Sequence, residues 1–271
     1  MHDVHHHEVT RDRAGLRLGI AALVGALVPP VAARADHDTA MSEGHHGEAS
    51  EVSVGLSVEA AAIDSTFYVG SYQGVTPSLG WMRGRFGAGA AISLNHLSEN
   101  GRGLYGRGDL MLAGHAAVIT TDAVHAGVAL HVMAPTGSEL DGLGMGHVMV
   151  MPSVSASWRA APLTFAASGG YGRALVGLGG QHDHGPMPLV DPMNLQELTW
   201  GASADVDLGH GLQVGGRMLG AVPLGSGLTR VIAGGRVAWG TPRFSTGFEA
   251  QVGLAGDPFT IRGVLDTALR F

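Results

Sequence analysis

Histidine and methionine recur in the middle of the chain, in three segments that alternate polar and apolar residues. The polar face of these segments carries four histidines and four methionines: Met111, His115, His125, His131, Met133, His147, Met149 and Met151. Imidazole and thioether groups are ligands for copper, silver and related soft ions. Weak, spaced ligands also suit a conducting pathway, because a tight site would trap the ion. The other interpretation is that methionine and histidine simply fill a narrow interior.

Two further segments are rich in histidine and carry acidic residues beside it. One is "GGQHDHGPM", with His182, Asp183 and His184, and the other is "DHDTAMSEGHHGE", with His37, His45 and His46. Each could bind a divalent cation weakly through nitrogen and carboxylate ligands, but neither has the ligand spacing of a closed structural site. The sequence therefore predicts a weakly bound divalent or copper-type ion at most, and no required cofactor.

A period of two residues runs through the chain from Glu51 onward and predicts the elements that position these side chains. In "EVSVGLSVEA" the valines and leucine fall on one face, and serine, glycine and glutamate fall on the other. Strict alternation of this kind indicates a β-strand with one apolar face. Twelve such segments are predicted, at 51–61, 72–83, 85–96, 106–120, 123–134, 147–158, 163–175, 197–208, 211–222, 228–239, 243–254 and 259–271.

The gaps between the predicted strands alternate in length through most of the chain. Long gaps such as "LSENGRGLY" and "PTGSELDGLGMG" are separated by short ones such as "TD", "AAPL" and "GH". This alternation is typical of outer-membrane barrels, which have tight periplasmic turns and longer extracellular loops. The strands also reach the ~9–11 residues needed to cross a bilayer while tilted. We therefore predict an all-β, antiparallel, up-and-down transmembrane barrel of about twelve strands; the alternative is a soluble periplasmic β-sandwich.

The N-terminal segment has the features of a secretory signal peptide. An Arg-bearing start precedes an apolar run over 18–28, and Ala33-Arg34-Ala35 provides a small-x-small cleavage site. The run is too short to span a bilayer comfortably as a helix. We predict a signal peptide over 1–35 that is cleaved near Ala35, a flexible His-rich periplasmic segment over 36–50, and an outer-membrane barrel over 51–271. This places the protein in the outer membrane of a Gram-negative bacterium.

Aromatic residues lie at the ends of the predicted strands and on their apolar faces. In the last strand, the lipid face would carry Phe259, Ile261, Leu265, Leu269 and Phe271. A terminal phenylalanine on such a strand resembles the signal by which the assembly machinery recognises outer-membrane proteins. The tryptophans Trp81, Trp158, Trp200 and Trp239 are predicted to form an aromatic girdle in contact with outer-membrane lipid.

Charged residues occupy the opposite face of the predicted strands, which is the face toward the lumen. They are Arg107, Asp109, Glu197, Asp205, Asp207, Arg217, Arg230, Arg236, Arg243, Glu249, Arg262, Asp266 and Arg270. Buried charges need partners or water, so salt-bridge ladders are expected, with ion selectivity at a constriction as the functional alternative. We predict a solute path that includes Asp109, Arg217, Arg236 and Glu249 together with the histidines and Met149 and Met151.

Composition and missing motifs exclude other classes of function. The net charge of −7 argues against nucleic acid as a partner. The chain has no cysteine, so it has neither disulfides nor a thiolate metal site. No Gly-x-Ser-x-Gly with a supporting acid and no His-Glu-x-x-His is present, so no enzymatic activity is predicted.

Short glycine-containing motifs in the middle of the chain resemble a known family. They are Gly108-Asp109-Leu110, Pro135-Thr136-Gly137, Gly144-Met145-Gly146 and Gly170-Tyr171. The pattern resembles an outer-membrane β-barrel transporter family named for the meta-pathway of phenol degradation, over about residues 70–271 and most clearly from 105 to 175. The resemblance implies passage of small solutes, aromatic ones among them, across the outer membrane.

The sequence thus predicts an outer-membrane channel or transporter for small solutes with a polar, His/Met-containing lumen. Two alternatives remain open at this point. One is a metal-binding barrel linked to metal uptake or resistance, and the other is a structural barrel with a plugged lumen.

Overall fold

The computed structural model describes residues 50–64, 69–99, 102–175, 190, 193–256 and 259–271. The predicted signal peptide and almost all of the segment 36–50 lie outside the described residues. So do the candidate metal ligands of that segment and of the long loop, which are His37, His45, His46, His182, Asp183 and His184.

Twelve antiparallel strands form one closed barrel, as the sequence predicts. They are β1 Ser50–Asp64, β2 Val69–Arg83, β3 Phe86–Glu99, β4 Arg102–Thr120, β5 Val124–Ala134, β6 Val148–Ala160, β7 Leu163–Leu175, β8 Gln196–Gly209, β9 Leu212–Pro223, β10 Arg230–Gly240, β11 Phe244–Ala255 and β12 Ile261–Arg270. Each strand pairs with its neighbours in sequence, and β1 pairs with β12. The described part of the chain has no helix that is long and apolar enough to cross a membrane.

The first and last strands close the barrel along an unbroken register. Ten residue pairs join them, from Ser53 opposite Arg270 to Ala62 opposite Ile261. Beyond the last pair, the backbones of Val52 and Phe271 exchange two hydrogen bonds of 3.2 and 2.9 Å. Closure matters because a free sheet edge would leave backbone groups without partners in hydrocarbon.

The two faces of the sheet are inverted relative to a soluble protein. In β1, Val52, Val54 and Leu56 are exposed on the outside, whereas Ser57 and Glu59, on the alternate face, are buried inside the barrel. The same alternation continues around the sheet, so the barrel has an apolar outer band and a polar interior. This is the pattern of a transmembrane barrel.

The two ends of the barrel differ in the length of their connections. At the end where β1 begins and β12 ends, the connections are 84–85, 121–123, 161–162, 210–211 and 241–243. We call this the turn end. At the opposite, loop end, the connections include the much longer segments 135–147 and 176–195.

One predicted long loop is instead part of a hairpin. The segment "LSENGRGLY" was expected to be irregular, but β3 continues to Glu99 and β4 begins at Arg102. His96 and Leu97 pair with Tyr105 and Leu104 across the hairpin, and the His96 and Tyr105 rings stack with centroids 4.2 Å apart. Cross-strand contacts therefore override the glycine-rich, polar character of this segment, which favours a loop when read alone.

Two side chains lie on the face opposite to the one predicted. A register shift between Ile92 and Leu94 places Arg107 opposite the exposed Leu94, so Arg107 is on the outer face and not in the lumen. Phe259 was predicted to face lipid, but it precedes β12 and is only 4% exposed. The Arg262 guanidinium lies over its ring, 4.2 Å from the centroid, which holds Phe259 inside the barrel.

Candidate functional site

The segment 135–147 between β5 and β6 folds into the barrel, and we call it the inner loop. Its residues Leu143 and Met145 are 3% and 5% exposed. Leu143 belongs to a buried apolar cluster with residues from β1, β2, β3 and the segment just before β12, which are Ala61, Ile63, Tyr72, Leu97 and Phe259. The inner loop therefore crosses the lumen at the loop end and packs against the far wall.

The carboxylate of Asp109 on β4 fixes the inner loop at two points. Its Oδ1 accepts a hydrogen bond from the Gly137 backbone N–H at 2.8 Å, and its Oδ2 accepts one from Met145 N–H at 2.7 Å. These residues belong to the Gly-Asp-Leu, Pro-Thr-Gly and Gly-Met-Gly motifs. Three motifs that are separate in the sequence thus form one structural unit.

Thr136 completes this unit with two further hydrogen bonds to β4. Its Oγ1 donates to the Gly108 carbonyl and accepts from the Leu110 N–H, both at 2.9 Å. The two arms of the loop also touch, since a Cβ on Gly137 would lie 2.5 Å from the Leu143 carbonyl oxygen. Glycine is required here by this close approach of the backbone.

Six of the eleven methionines meet in the lumen, one of them in the inner loop and the other five outside it. Met133, Met145 and Met149 are buried, and Met111, Met151 and Met193 pack against them. We call these six residues the methionine cluster. Met111 lies directly opposite Met133, and Met133 lies directly opposite Met149, so three neighbouring strands contribute one row of thioethers.

The predicted histidines do not form one group. His131 is opposite Met151 beside the methionine cluster, whereas His115 is opposite Ala129 and His125 is opposite Ser157, nearer the turn end. His147 is buried just before β6. In the described parts of the chain, no group of three or more His, Asp or Glu side chains is arranged to hold a metal ion.

The opposite wall, on β8 to β12, carries paired charges. Arg217 binds Glu249 at 2.6 and 2.7 Å, and Arg236 binds Asp205 twice at 2.7 Å. Both pairs are bidentate and largely buried, which is the geometry in which an arginine–carboxylate pair is strongest. Arg217, Arg236 and Glu249 therefore lie on the lumen side of the sheet, each held by an opposite charge.

The same ladder continues toward the loop end. Arg230 donates to both Glu197 oxygens at 2.8 Å, and Glu197 also accepts from the Asn194 side chain at 2.7 Å. Arg262 donates to Gln251 at 2.7 Å and to the Tyr72 hydroxyl at 3.2 Å. Together with the inner loop, these contacts occupy part of the loop-end half of the lumen.

The turn-end half of the lumen contains a cavity of about 400 Å³. Met111, His115 and His125 line one wall, and Arg217 and Arg236 line the other. Serine and alanine side chains lie between these two walls. The Nδ1 atom of His115 and the Nε2 atom of His125 are buried without a hydrogen-bond partner among the described residues. The two imidazole rings thus form part of the cavity wall.

Solved structures of outer-membrane proteins share this architecture. An outer membrane channel from Pseudomonas putida F1 superposes with a TM-score of 0.60 at 12% identity, over 85% of this chain and 100% of that one. The KdgM porin gives 0.53 at 8% identity over 81% and 99% of the two chains, and the NanC porin gives 0.52 at 11% identity over 79% and 98%. The fold is that of an outer-membrane β-barrel. No protein-family model matches the chain, and no curated protein matches its sequence.

The predicted lipid anchors lie on the outer surface of the barrel. Trp81, Trp158 and Trp239 are near the turn end and 42–53% exposed, and Phe271 ends the chain there at 75%. Trp200 is nearer the loop end of β8. Trp158 and Phe165 stack with centroids 5.8 Å apart on neighbouring strands, which extends the aromatic surface at the turn end.

The inner loop and its methionines are the features that strand patterns do not reveal. Met145 and Met193 come from segments outside the strands, so alternation could not place them in the lumen. The spacing of the glycine motifs around the loop was the available signal. A buried leucine between two glycine-containing arms is consistent with an inward fold.

Proposed function

We propose that the protein is an outer-membrane channel for small solutes whose constriction is the inner loop. The observation that carries this proposal is a lumenal cavity of about 400 Å³ that ends beneath a loop held inside the barrel by Asp109. The names of the structural neighbours, a channel and two porins, support the same function. A cavity of this volume is in the range that accommodates small organic molecules.

The walls of the cavity indicate the class of solute. The charges on β8 to β12 are already paired, so they offer a polar surface without a strong net field. The opposite wall offers imidazole and thioether groups. This combination favours small neutral or amphipathic solutes, which include the aromatic compounds implied by the family resemblance.

Three of the four motifs that carry the family resemblance are the ones that hold the inner loop. The resemblance therefore supports a shared constriction and does not by itself define the cargo. We also propose that the mature chain begins after cleavage near Ala35, and that Phe271 presents the last strand to the assembly machinery. Neither step requires a cofactor or a catalytic group of this chain.

Electrical recording from the full chain in planar lipid bilayers tests the channel proposal. We expect discrete current steps in simple salt and a reduction of current when a permeant small aromatic solute occupies the lumen. A correctly folded barrel that never carries current, even at high applied voltage, would contradict the proposal.

A further inference from the structure

We infer that the methionine cluster is a binding site for a soft monovalent cation, Cu(I) or Ag(I), that is loaded from the turn-end cavity. This inference concerns the same lumen as the proposed channel but goes beyond it. Binding in the cluster requires no conduction, so each proposal can fail without the other.

The donor atoms come from four independent segments that converge. Met111, Met133 and Met149 are direct neighbours on β4, β5 and β6. Residues directly opposite in an antiparallel pair have Cβ atoms about 4.5–5.5 Å apart. Methionine has three rotatable side-chain bonds, so the sulfur atoms of such neighbours can meet around one ion without movement of the strands.

Met145 adds a fourth thioether from above the row. Its backbone N–H is held by Asp109, which fixes the position of this part of the inner loop. Met145 and Met149 are 5% and 0% exposed and belong to one buried cluster. The centre of the cluster is therefore buried, with Met151 and Met193 at its edge.

The surroundings of the cluster favour a soft ion of low charge. Its other members are Ala174 and Leu195, which are apolar. Of the acids nearby, Asp109 already accepts two backbone N–H groups. Glu197, which approaches Gly172 together with Met149, is already paired with Arg230. The cost of burying an ion rises steeply with its charge when no anionic ligand compensates, so this site disfavours divalent ions. Thioethers select Cu(I) over Zn(II) or Mg(II) on softness alone.

The cavity provides a route to the cluster. Met111 both lines the cavity and packs in the methionine cluster, so it connects the two. His115 is on the same strand as Met111, four positions nearer the turn end. His125 lies nearer the turn end still, on β5. An ion entering from the turn end would thus meet two imidazoles before the first thioether.

Gap filling is the competing explanation for so many methionines, and leucine substitution separates it from metal binding. Leucine preserves apolar volume, and such swaps in a core usually cost less than ~1.5 kcal/mol each, but leucine has no donor atom. The test variant is Met111→Leu/Met133→Leu/Met149→Leu. The matched control is Met218→Leu, since Met218 is exposed on the outer face of β9.

The experiment is a titration of the folded full chain in detergent with Ag(I) in chloride-free buffer. The methyl groups of methionine are labelled with ¹³C, so that each site is observed separately by NMR. We expect Ag(I) to shift the signals of Met111, Met133, Met145 and Met149 together at one equivalent, with no shift at Met218. In the triple variant the Met145 signal should not move at one equivalent of Ag(I), because the apparent affinity of the cluster for Ag(I) should fall at least about 100-fold.

Two results would overturn the inference. One is an unchanged Ag(I) affinity at Met145 in a correctly folded triple variant. The other is a response spread evenly over exposed and buried methionines in the wild type, which would indicate nonspecific contact. A barrel that binds Ag(I) in the cluster but carries no current would refute only the channel proposal.

Discussion

Replacing Asp109 should release the inner loop, because two backbone N–H groups depend on its carboxylate. Hydrogen bonds to a charged group contribute roughly 1.5–3 kcal/mol each. Asparagine keeps one acceptor oxygen but directs an NH₂ group at the second N–H, so Asp109→Asn should lose about one of these bonds. Asp109→Ala loses both, a total of roughly 3–6 kcal/mol by the same range.

These energies convert into the fraction of molecules whose inner loop has left its site. A difference of about 1.4 kcal/mol is tenfold in an equilibrium constant. Asp109→Asn should therefore raise the released fraction about 10- to 100-fold, and Asp109→Ala by about 100-fold or more. The asparagine variant tests charge at nearly constant shape, and the alanine variant tests removal of the contact.

Amide hydrogen exchange and bilayer recording measure the effect independently. We expect the amides of Gly137 and Met145 to exchange faster by these factors, while amides in the β1–β12 pairing keep their protection. Current steps should be larger or more frequent. Asp207→Asn is the matched control, because Asp207 accepts a bond only within its own turn, from Gly209 N–H at 2.8 Å. Unchanged exchange and unchanged current in Asp109→Ala would refute the assignment of the loop as a constriction held by this carboxylate.

Three other predictions address the charged wall, the close contact in the loop and the chain terminus. Glu249→Gln leaves the buried Arg217 without its counter-charge and should lower the free energy of unfolding by ~3–5 kcal/mol, measured by denaturant titration in detergent; a loss below ~1 kcal/mol, the value of an exposed pair, would count against a buried pair. Gly137→Ala should displace the inner loop and increase current, whereas Gly114→Ala, where an added Cβ meets nothing within 4 Å, should leave current unchanged. Phe271→Ser keeps the backbone bonds to Val52 but should slow assembly into outer-membrane vesicles. Assembly is measured by gel electrophoresis, as the amount of folded barrel whose band shifts on heating. Assembly at the wild-type rate would show that the terminal ring is not part of the recognition signal.

The strands and their faces were predictable because the information is local. Hydrocarbon outside and a polar lumen inside impose a two-residue period that each segment carries by itself, as in Val52 to Glu59. The register shift that moves Arg107 outward was not predictable, because it arises from pairing between β3 and β4. Phe259 continues the apolar alternation of β12, but the chain there turns inward over Arg262, a contact that no local pattern specifies.

The candidate site was predictable only in part, for a similar reason. Asp109 and the lumen methionines of β4 to β6 follow from the alternation. The role of Asp109 does not, because its partners are backbone N–H groups of a distant loop and leave no side-chain signal. Met145 and Met193 reach the cluster through the fold of long connections, which sequence period cannot describe.

Current through a barrel with one lumenal cysteine tests the central claim most directly. The chain has no native cysteine, Ser203 lines the cavity, and Ala204 is its exposed neighbour on the outer face. Treatment with a water-soluble, charged methanethiosulfonate should reduce the single-channel current of Ser203→Cys in a stepwise manner and leave that of Ala204→Cys unchanged. If a fully modified Ser203→Cys barrel conducts as before, solutes do not pass through this lumen and the account is wrong.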